Sequence, residues 1–515
     1  MIKLDVWEVS TWPSHHPTSA AVVFVAATAL ISYLAYSRYV QEQTRRAFKL
    51  QHGCQPIAAV QRDRGPFGLK SLFRAIKLKK EHKILEFLND RHVELGRTYV
   101  SKGLFKTVYF TNDPENIKCA LATRFEDWGV QKIRQAVFRD FLGSGIFTTD
   151  GTFWQHSRAM LRPQFEKSQV AAIDHFEPYV QKLFACIPED GSTVDLQELF
   201  FKLTMDASTE FLLGSGTDCL GGDKEGQMFA ETFDKCLKAG IWKDIFGYLY
   251  YLIPHRQASK AIKYSHNAVD TWVQQAMQHK GASAAKDLGE RYIFVNELAK
   301  HAEVDATRVR DETLNILLAG RDTTASLLGS LWFNLARDPD LYQKLRAEVA
   351  PLNGDPPSYE ALKDMKLVRY TIQETLRLHP PVPILGKLAL RDTLLPHGGG
   401  PTGSSPLFIP RNSLLSYNTY SLMRSPALYG RDAHVFRPER WSKEPALRPG
   451  WGYLPFGGGP RSCLGQQYAL GLAGYVVVRL VQRYSWVKAR GEGEWREGLA
   501  VTCCSGDGAW VAVGR

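Results

Sequence analysis

A single cysteine, Cys463, lies where a loop rich in glycine and arginine meets an apolar helical run, in the stretch FGGGPRSCLGQQYALG. A lone cysteine in a long chain is most often a small buried apolar residue. A functional role for Cys463 therefore needs further support from its surroundings. The start of a helix offers free backbone N–H groups and the positive end of the helix dipole, which favour a thiolate. Cys463 is therefore a candidate metal ligand.

The surroundings of Cys463 in the sequence restrict the kind of metal site. The eight cysteines of the chain form no CxxC pair and no regular spacing, so they are interpreted as reduced thiols. One thiolate without a nearby second ligand does not suit tetrahedral zinc or an iron–sulfur cluster, but it suits a heme, whose porphyrin supplies four ligands. Arg461, two residues earlier, would then pair with a heme propionate.

The loop around the cysteine carries a longer pattern, F-x-x-G-x-R-x-C-x-G, formed by Phe456, Gly459, Arg461, Cys463 and Gly465. In this pattern, and in further motifs that follow the same order, the chain resembles the cytochrome P-450 monooxygenases over about residues 50–515. The resemblance implies a mostly α fold with a minor β portion, a single heme domain with a long distal helix. It also implies that this loop binds heme b and that Cys463 is the axial ligand of the heme iron.

Two further motifs are predicted to contact the heme. Trp154 and Arg158 stand four residues apart in DGTFWQHSRAML, which places them on one helix face. The resemblance implies that this pair holds a heme propionate. Lys387, in PILGKLAL, falls where many relatives carry another propionate-binding arginine; lysine keeps the charge but lacks the two-pronged guanidinium.

Glu374 and Arg377, three residues apart in ETLRLHPPVP, form a helical charge pair that taken alone indicates a surface salt bridge. The resemblance implies instead that the pair is buried and is joined by Arg440 of FRPERW. These three residues are assigned a structural role without direct chemistry, because a buried and mutually satisfied ion network specifies geometry.

A long apolar helical run, ETLNILLAGRDTTASLLGSLWF, is interrupted by Asp322, Thr323 and Thr324, where burial penalises polar groups. One explanation is structural: the threonine hydroxyls bond to carbonyls of the preceding turn, and Asp322 pairs with Arg321 or Arg310 on a solvated face.

The other explanation of the polar interruption comes from the resemblance. A-G-x-D-T-T is similar to the distal helix of the family, in which the acid and the alcohol handle protons for dioxygen. This implies that Asp322 and Thr323 are catalytic, and that Ala319 and Gly320 leave room over the iron.

Residues 20–36, AAVVFVAATALISYLAY, are uncharged and would span about 26 Å as a helix. A cleaved signal peptide would have its positive charge before the apolar run, whereas here the basic residues follow it. The predicted organisation is a short lumenal N-terminus at 1–19, a transmembrane signal anchor at 20–36, a basic and proline-containing hinge at 37–68 and the heme domain at 69–515. This predicts a single-pass protein of the endoplasmic reticulum membrane, with its catalytic domain in the cytosol.

A literal G-x-G-x-x-G occurs at Gly398, Gly400 and Gly403. It is not expected to bind a dinucleotide, because Pro401 and Pro406 make this stretch a turn or loop rather than the start of a helix. The formal charge of +11 is spread among acidic residues, so nucleic acid is not an expected partner. Without a flavin or nicotinamide module, electrons are expected from NADPH through a separate NADPH–cytochrome P-450 reductase.

The expected substrate is a lipophilic small molecule, oxidised with O2. GIFTTDGTFWQHSRAMLRPQF, FKLTMDASTEFLLG and LPHGGGPTGSSP resemble the fungal branch that hydroxylates the terminal carbon of alkanes and fatty acids. Ile384, Leu385 and Leu388 are candidates for an apolar substrate pocket, or else plain core. The alternatives are a hydroxylase of another lipophilic fungal metabolite, a heme-thiolate isomerase or dehydratase, and a heme sensor without turnover.

Overall fold

The computed structural model describes residues 17–62, 69–102, 107–165, 173–246, 250, 255–279, 293–301, 304–442, 447 and 449–515. Residues 1–16 of the predicted lumenal segment and 63–68 of the predicted hinge lie outside these ranges. The chain divides into two compact units, Met1–Gln55 and Pro56–Arg515.

The first unit contains one long helix, α1 (Pro17–Gln51). It includes the apolar residues 20–36 and continues through much of the segment predicted as a hinge, because no glycine or proline follows Tyr36 until Gly53. By length and composition α1 is the one helix of the described residues that could cross a membrane. None of its apolar stretch is buried against protein.

Helices dominate the second unit, as the mostly α fold implied by the resemblance requires. Those before the central helix are α2 (Leu69–Lys80), α3 (Ile84–Leu95), α4 (Pro114–Lys118), α5 (Gln131–Leu142), α6 (Gly151–Leu161), α7 (Glu177–Cys186), α8 (Leu196–Leu213), α9 (Lys224–Phe246), α10 (Arg256–His279) and α11 (Phe294–Ala299). The central helix and those after it are α12 (Ala306–Leu335), α13 (Pro339–Val349), α14 (Tyr359–Asp364), α15 (Lys366–Leu378), α16 (Thr419–Leu422), α17 (Pro426–Tyr429) and α18 (Gln466–Arg483).

The strands form small sheets. One has six strands in the order β1 (Val60–Arg62), β2 (Thr98–Lys102), β3 (Thr107–Thr111), β9 (Leu414–Asn418), β6 (Ile384–Ala389) and β4 (Trp128–Gly129). The others are β10 (Trp486–Ala489), β13 (Trp510–Gly514) and β5 (Val194–Asp195); β11 (Glu497–Leu499) with β12 (Cys503–Ser505); and β7 (Thr393–Gly399) with β8 (Ser405–Ile409). These strands are the minor β portion that the resemblance implies.

Helix α12 lies at the centre of the second unit. Asp305 caps its start by accepting a hydrogen bond from the Arg308 N–H at 2.7 Å. The apolar side chains of α12 pack with those of α8 and α18 in the largest hydrophobic cluster, and Trp332 and Tyr475 there are fully buried. This core fixes two helices that matter for function: α12, with the Asp322 region, and α18, which follows Cys463.

The G-x-G-x-x-G sequence forms the turn of a β-hairpin, as the prolines predict. Strands β7 and β8 pair antiparallel on its two sides, and the Gly398 N–H donates to the Gly403 carbonyl at 2.7 Å. Gly400 and Gly403 adopt the positive φ values of 76° and 69° that such a turn requires. No helix follows to bind a pyrophosphate.

Candidate active site

Cys463 lies in the loop that leads into α18, two residues before the N-cap Gly465. Its backbone N–H donates to the Phe456 carbonyl at 3.0 Å, which closes the loop. The side chain has accessible surface, yet burial among protein atoms raises the pKa of its thiol. The Gly465 N–H and Arg158 act in the opposite direction but do not outweigh burial. The sulfur thus lies on the wall of a recess, and a bound metal cation would deprotonate it.

The glycines of the loop serve close packing rather than contact with the sulfur. Gly459 has φ 68°, and a Cβ there would lie 1.9 Å from the Leu121 carbonyl oxygen. A Cβ at Gly458 would lie 2.6 Å from the Trp451 ring. The backbone N–H that favours the thiolate belongs to Gly465 instead. Only glycine therefore lets the loop lie this close to its neighbours.

Helix α6 brings Trp154 and Arg158 to the same loop. Trp154 is buried, and the Arg461 guanidinium lies 4.3 Å from the centre of its ring. Arg158 donates through Nη1 to the Ser462 carbonyl at 2.9 Å. The structure thus brings together two sequence motifs that are about three hundred residues apart.

Arg461 is held in a fixed position beside this helix. Its Nη2 donates to the Thr149 carbonyl and to Asp150 Oδ1, both at 2.7 Å. Burial lowers the pKa of Arg461 to about 10, and the positive charges of Arg134 and Arg158 act in the same direction, while Asp150 opposes them. Arg461, Arg134 and Lys387 therefore share one carboxylate, Asp150, and Arg158 adds a fourth positive charge near Arg461.

Among these bases, Lys387 has the fewest polar contacts to balance its buried amine. It lies in β6 with 2% of its surface exposed, 5.3 Å from the centre of the Phe125 ring, and its Nζ has no hydrogen-bond partner among the described residues. Burial lowers its pKa to about 7, and the nearby charges of Arg461 and Arg134 add to that effect. A buried amine without a partner beside two guanidinium groups is a site that an anion would stabilise.

In α12, Thr323 and Asp322 have different surroundings. Thr323 Oγ1 donates to the Ala319 carbonyl at 2.7 Å. This is the bond to the preceding turn that the structural explanation of the polar interruption predicts. Ala319 and Thr323 are partly accessible on a helix that is otherwise mostly buried, and they share one face. Asp322 is buried, with Oδ1 3.3 Å from Arg321 Nη1, and Arg321 also pairs with Asp234 of α9.

The expected solvated face for Asp322 is absent. Burial raises the pKa of its carboxyl to about 6, although Arg321 opposes the shift. A carboxyl with a pKa close to neutral can both hold and release a proton under physiological conditions.

Gly320 lies next to helix α8, and the room that it is predicted to leave over the iron stays a prediction. A Cβ at this position would lie 2.9 Å from Ser208 Oγ, so its missing side chain makes room for helix α8. On an α-helix, adjacent residues point about 100° apart, and the face of Ala319 and Thr323 is therefore a different one.

Glu374, Arg377 and Arg440 form a fully buried charge cluster. Arg377 binds both oxygens of Glu374 through Nε and Nη2 at 2.9 and 2.8 Å, and Arg440 Nε donates to Oε1 at 2.8 Å. Trp441 Nε1 donates to Oε2 at 3.0 Å. The guanidinium of Arg377 also bonds to the Met423 carbonyl at 2.8 Å. The cluster thus ties α15 to the chain that leads towards the cysteine loop.

Comparison with known proteins decides the family. A family model described as cytochrome P-450 matches residues 64–498. The chain belongs to the cytochrome P-450 family. The monooxygenase himC of Aspergillus japonicus is 40% identical over 98% of this chain and 92% of its own length. The Candida maltosa cytochromes P-450 52A9 and 52A10 are 40% and 37% identical over 84% and 95% of this chain, and over 86% and 97% of their own lengths.

This cytochrome P-450 is therefore a heme-dependent monooxygenase that uses O2 and a redox partner. The residues present fit heme: a thiol with accessible surface in a recess, and a group of bases around a single carboxylate where two heme propionates would bind. Among the described residues no group of three or more His, Cys, Asp or Glu side chains could hold a metal. A heme at Cys463 would bring its own four porphyrin ligands and need only one thiolate from the protein.

The predicted substrate residues lie on both faces of β6. Because side chains alternate along a strand, Ile384 and Leu388 share one face and Leu385 shares the other with Lys387. Leu385 packs into a core cluster with Tyr417 and Leu121. Contact of Ile384, Leu385 and Leu388 with substrate stays a prediction.

Arg134 and Asp150 belong to the group of charges but were missed by the sequence analysis. Arg134, in α5, donates to the Phe147 carbonyl at 2.9 Å. Asp150 accepts from the Gln131 N–H at 2.7 Å and from Arg461. Asp150 stands at the N-cap position of the helix of Trp154 and Arg158, but its side chain makes no cap bond, so a capping signal would not have indicated its contact with Arg461. Arg134 is one basic residue of an amphipathic helix and gives no such signal.

Proposed function

We propose that this cytochrome P-450 hydroxylates the terminal carbon of long-chain alkanes or fatty acids. The observation that carries the proposal is the similarity to the two Candida maltosa 52A proteins over 84% and 95% of this chain. It agrees with the resemblance of three separate segments to the fungal branch with that activity.

The roles of the residues follow from their surroundings. Heme, when bound, supplies an iron that activates dioxygen for insertion of one oxygen atom into a C–H bond. Cys463 would ligate the iron, with Phe456 and Gly465 shaping the loop around it. The bases Arg158, Arg461 and Lys387, with Trp154 packed against Arg461, would hold the propionates.

Asp322 would supply protons on the distal side, because its carboxyl titrates near neutrality and lies one residue from Thr323. Thr323 would donate the hydrogen of its hydroxyl group on the distal side. To do so, it must first release its hydrogen bond to the Ala319 carbonyl. Ala319 adds a small side chain on the same face as Thr323, which leaves space there.

Helix α1 supports a location in the endoplasmic reticulum membrane as a single-pass protein. The basic residues that follow its apolar stretch favour the cytosolic side for the catalytic unit. In this arrangement an aliphatic substrate dissolved in the bilayer has a short path to the enzyme. Electrons would come from NADPH through NADPH–cytochrome P-450 reductase at the same membrane.

A second candidate is hydroxylation of another lipophilic fungal metabolite. It is favoured by the himC relative, which matches 98% of this chain and whose name gives no substrate. The two candidates differ in the shape of the substrate and share the same heme chemistry.

A spectral titration tests the proposal. Alkanes and fatty acids of increasing chain length are added to the purified holoenzyme, and the low-spin to high-spin shift of the Soret band is recorded. Binding that tightens with chain length, together with terminal alcohols formed when reductase and NADPH are added, supports the proposal. No spin shift with any aliphatic chain contradicts it. NADPH-dependent product formation also excludes an isomerase, a dehydratase and a heme sensor.

A further inference from the structure

Residues 143–150, which join α5 to α6, are bound on both sides. One side contacts the N-terminal half of α12, and the other contacts Arg461, two residues from Cys463. Neither the family motifs nor the proposed substrate explains why a buried helix should carry several polar groups at this point.

On the first side, three side chains of α12 bind the backbone of this segment. Asp311 Oδ2 accepts from the Ser144 N–H at 2.8 Å, and Glu312 Oε2 accepts from the Ile146 N–H at 2.9 Å. Asn315 Oδ1 accepts from the Phe147 N–H at 3.0 Å. Its Nδ2 donates to the Leu142 carbonyl at 2.9 Å.

Two glycines make this approach possible. A Cβ at Gly143 would lie 1.9 Å from Asp311 Oδ2, and a Cβ at Gly145 would lie 2.5 Å from Asn315 Nδ2. Gly143 also has φ 58°, which other residues rarely adopt. The G-S-G sequence and the D-E-x-x-N sequence of α12 are therefore complementary.

On the second side, the same segment holds Arg461, one of the bases proposed to bind heme, and its neighbour Arg134. Arg461 Nη2 donates to the Thr149 carbonyl and to Asp150, and Arg134 Nη1 donates to the Phe147 carbonyl at 2.9 Å. The N–H and the C=O of Phe147 thus connect Asn315 of α12 directly with Arg134.

The α12 side chains that bind the segment are buried, so the loss of one of their hydrogen bonds costs free energy. Glu312 and Asn315 have no exposed surface, and Asp311 has 6%. Removing Glu312 would leave the buried Ile146 N–H without this acceptor, and removing Asp311 or Asn315 would do the same to the partly buried N–H of Ser144 or Phe147. The cost of such an unsatisfied N–H favours movement of the segment. Movement of the segment displaces the carbonyl and carboxylate that hold Arg461.

We propose that Asp311, Glu312 and Asn315 are positioning residues for the heme. They fix residues 143–150 against α12, and that segment sets the place of Arg461 for binding a propionate and holds Arg134 beside it. The distal helix and the cysteine loop are thereby held at a set spacing through one stretch of backbone. The proposal concerns heme retention and does not depend on which substrate is hydroxylated.

Heme loss from the full-length holoenzyme tests this, measured as the rate of heme transfer to excess apomyoglobin. Glu312→Ala and Asn315→Leu are expected to accelerate transfer about tenfold. The first leaves the buried Ile146 N–H without its acceptor, and the second removes the bonds of Asn315 to the Phe147 N–H and the Leu142 carbonyl. Glu312→Gln keeps a carbonyl acceptor and is expected to stay within about twofold of the parent rate. Thr313→Val is the matched control, since the Thr313 hydroxyl bonds only to the Val309 carbonyl of its own helix.

A double-mutant cycle with Arg461→Lys separates positioning from general destabilisation. If Glu312 acts through Arg461, then Glu312→Ala adds less than about twofold to heme loss in the Arg461→Lys background. Full additivity in that cycle overturns the proposal. The proposal is also overturned if Glu312→Ala and Asn315→Leu lose heme no faster than Thr313→Val does.

Discussion

At the scale of single residues, Lys387 shows how the site depends on a bound anion. Its ammonium is buried among guanidinium groups, and its pKa falls from 10.5 to about 7. A heme propionate beside it would raise that pKa again, because an opposite charge favours the charged form. The amine therefore gains a proton when heme binds at any pH between these values.

The pH dependence of heme affinity follows from that uptake. Because the bound state holds more protons, affinity falls and heme loss accelerates as pH rises from 7 to 9, by at most about tenfold per pH unit. Lys387→Met has no proton to gain, so its heme loss is expected to be faster and flat over this range. Lys387→Arg stays charged throughout and should combine slow loss with a flat profile. A profile for the parent protein as flat as that of Lys387→Met would contradict the assignment.

Asp322 is expected to be important for turnover and not for stability. Its folded-state pKa of about 6 lies above the ordinary 3.8, so the folded protein binds this proton more tightly and loses stability as pH rises through 4 to 6. Asp322→Asn removes that cost. We expect product formation about a hundredfold slower with an unchanged or higher melting temperature. A lower melting temperature together with full activity would assign Asp322 a structural role.

At the scale of elements, the motifs predicted which parts of the chain meet, and the packing of each element decided the details. The spacing of Glu374 and Arg377 alone indicates a surface pair. Only the resemblance to the cytochrome P-450 family, which adds Arg440 as a third partner, implies that the pair is buried. Strand β6 divides the predicted apolar trio between two faces. Gly320 belongs to the interface with α8, which no local pattern in the sequence indicates, because Ser208 is more than a hundred residues away.

The buried charge cluster and an exposed pair of similar spacing provide a matched comparison. Arg377→Leu leaves Glu374 buried with fewer partners, and this is expected to cost about 3–5 kcal/mol of stability and to prevent stable heme incorporation. Lys363→Leu removes the exposed partner of Glu360, 2.9 Å away in α14, and should cost less than about 1 kcal/mol. Holoenzyme yield and thermal unfolding measure both. Equal effects would show that burial of the cluster contributes nothing.

At the scale of the whole molecule, all residues proposed to bind heme lie in the unit Pro56–Arg515, and the membrane-length helix lies in the other. The sequence analysis also separates an anchor from a heme domain, but it begins that domain at residue 69, whereas the second unit begins at Pro56. It did not predict the roles of Arg134, Asp150, Glu312 and Asn315, because their contacts join segments up to three hundred residues apart and depend on backbone groups.

A chain that begins at Pro56 is expected to keep heme and to lose integral membrane attachment. Extraction of membranes with sodium carbonate measures attachment, and the heme spectrum of the soluble fraction measures folding. Carbonate-resistant attachment of the shortened chain would show that α1 is not the anchor.

The ligand of the iron is the point on which the whole account depends, and carbon monoxide reports it directly. Reduced holoenzyme under carbon monoxide should show the red-shifted Soret band of a thiolate ligand, and Cys463→His should move that band to the position typical of imidazole. A Soret band of the imidazole type in the parent protein, or a parent protein that binds no heme, would contradict the assignment of Cys463.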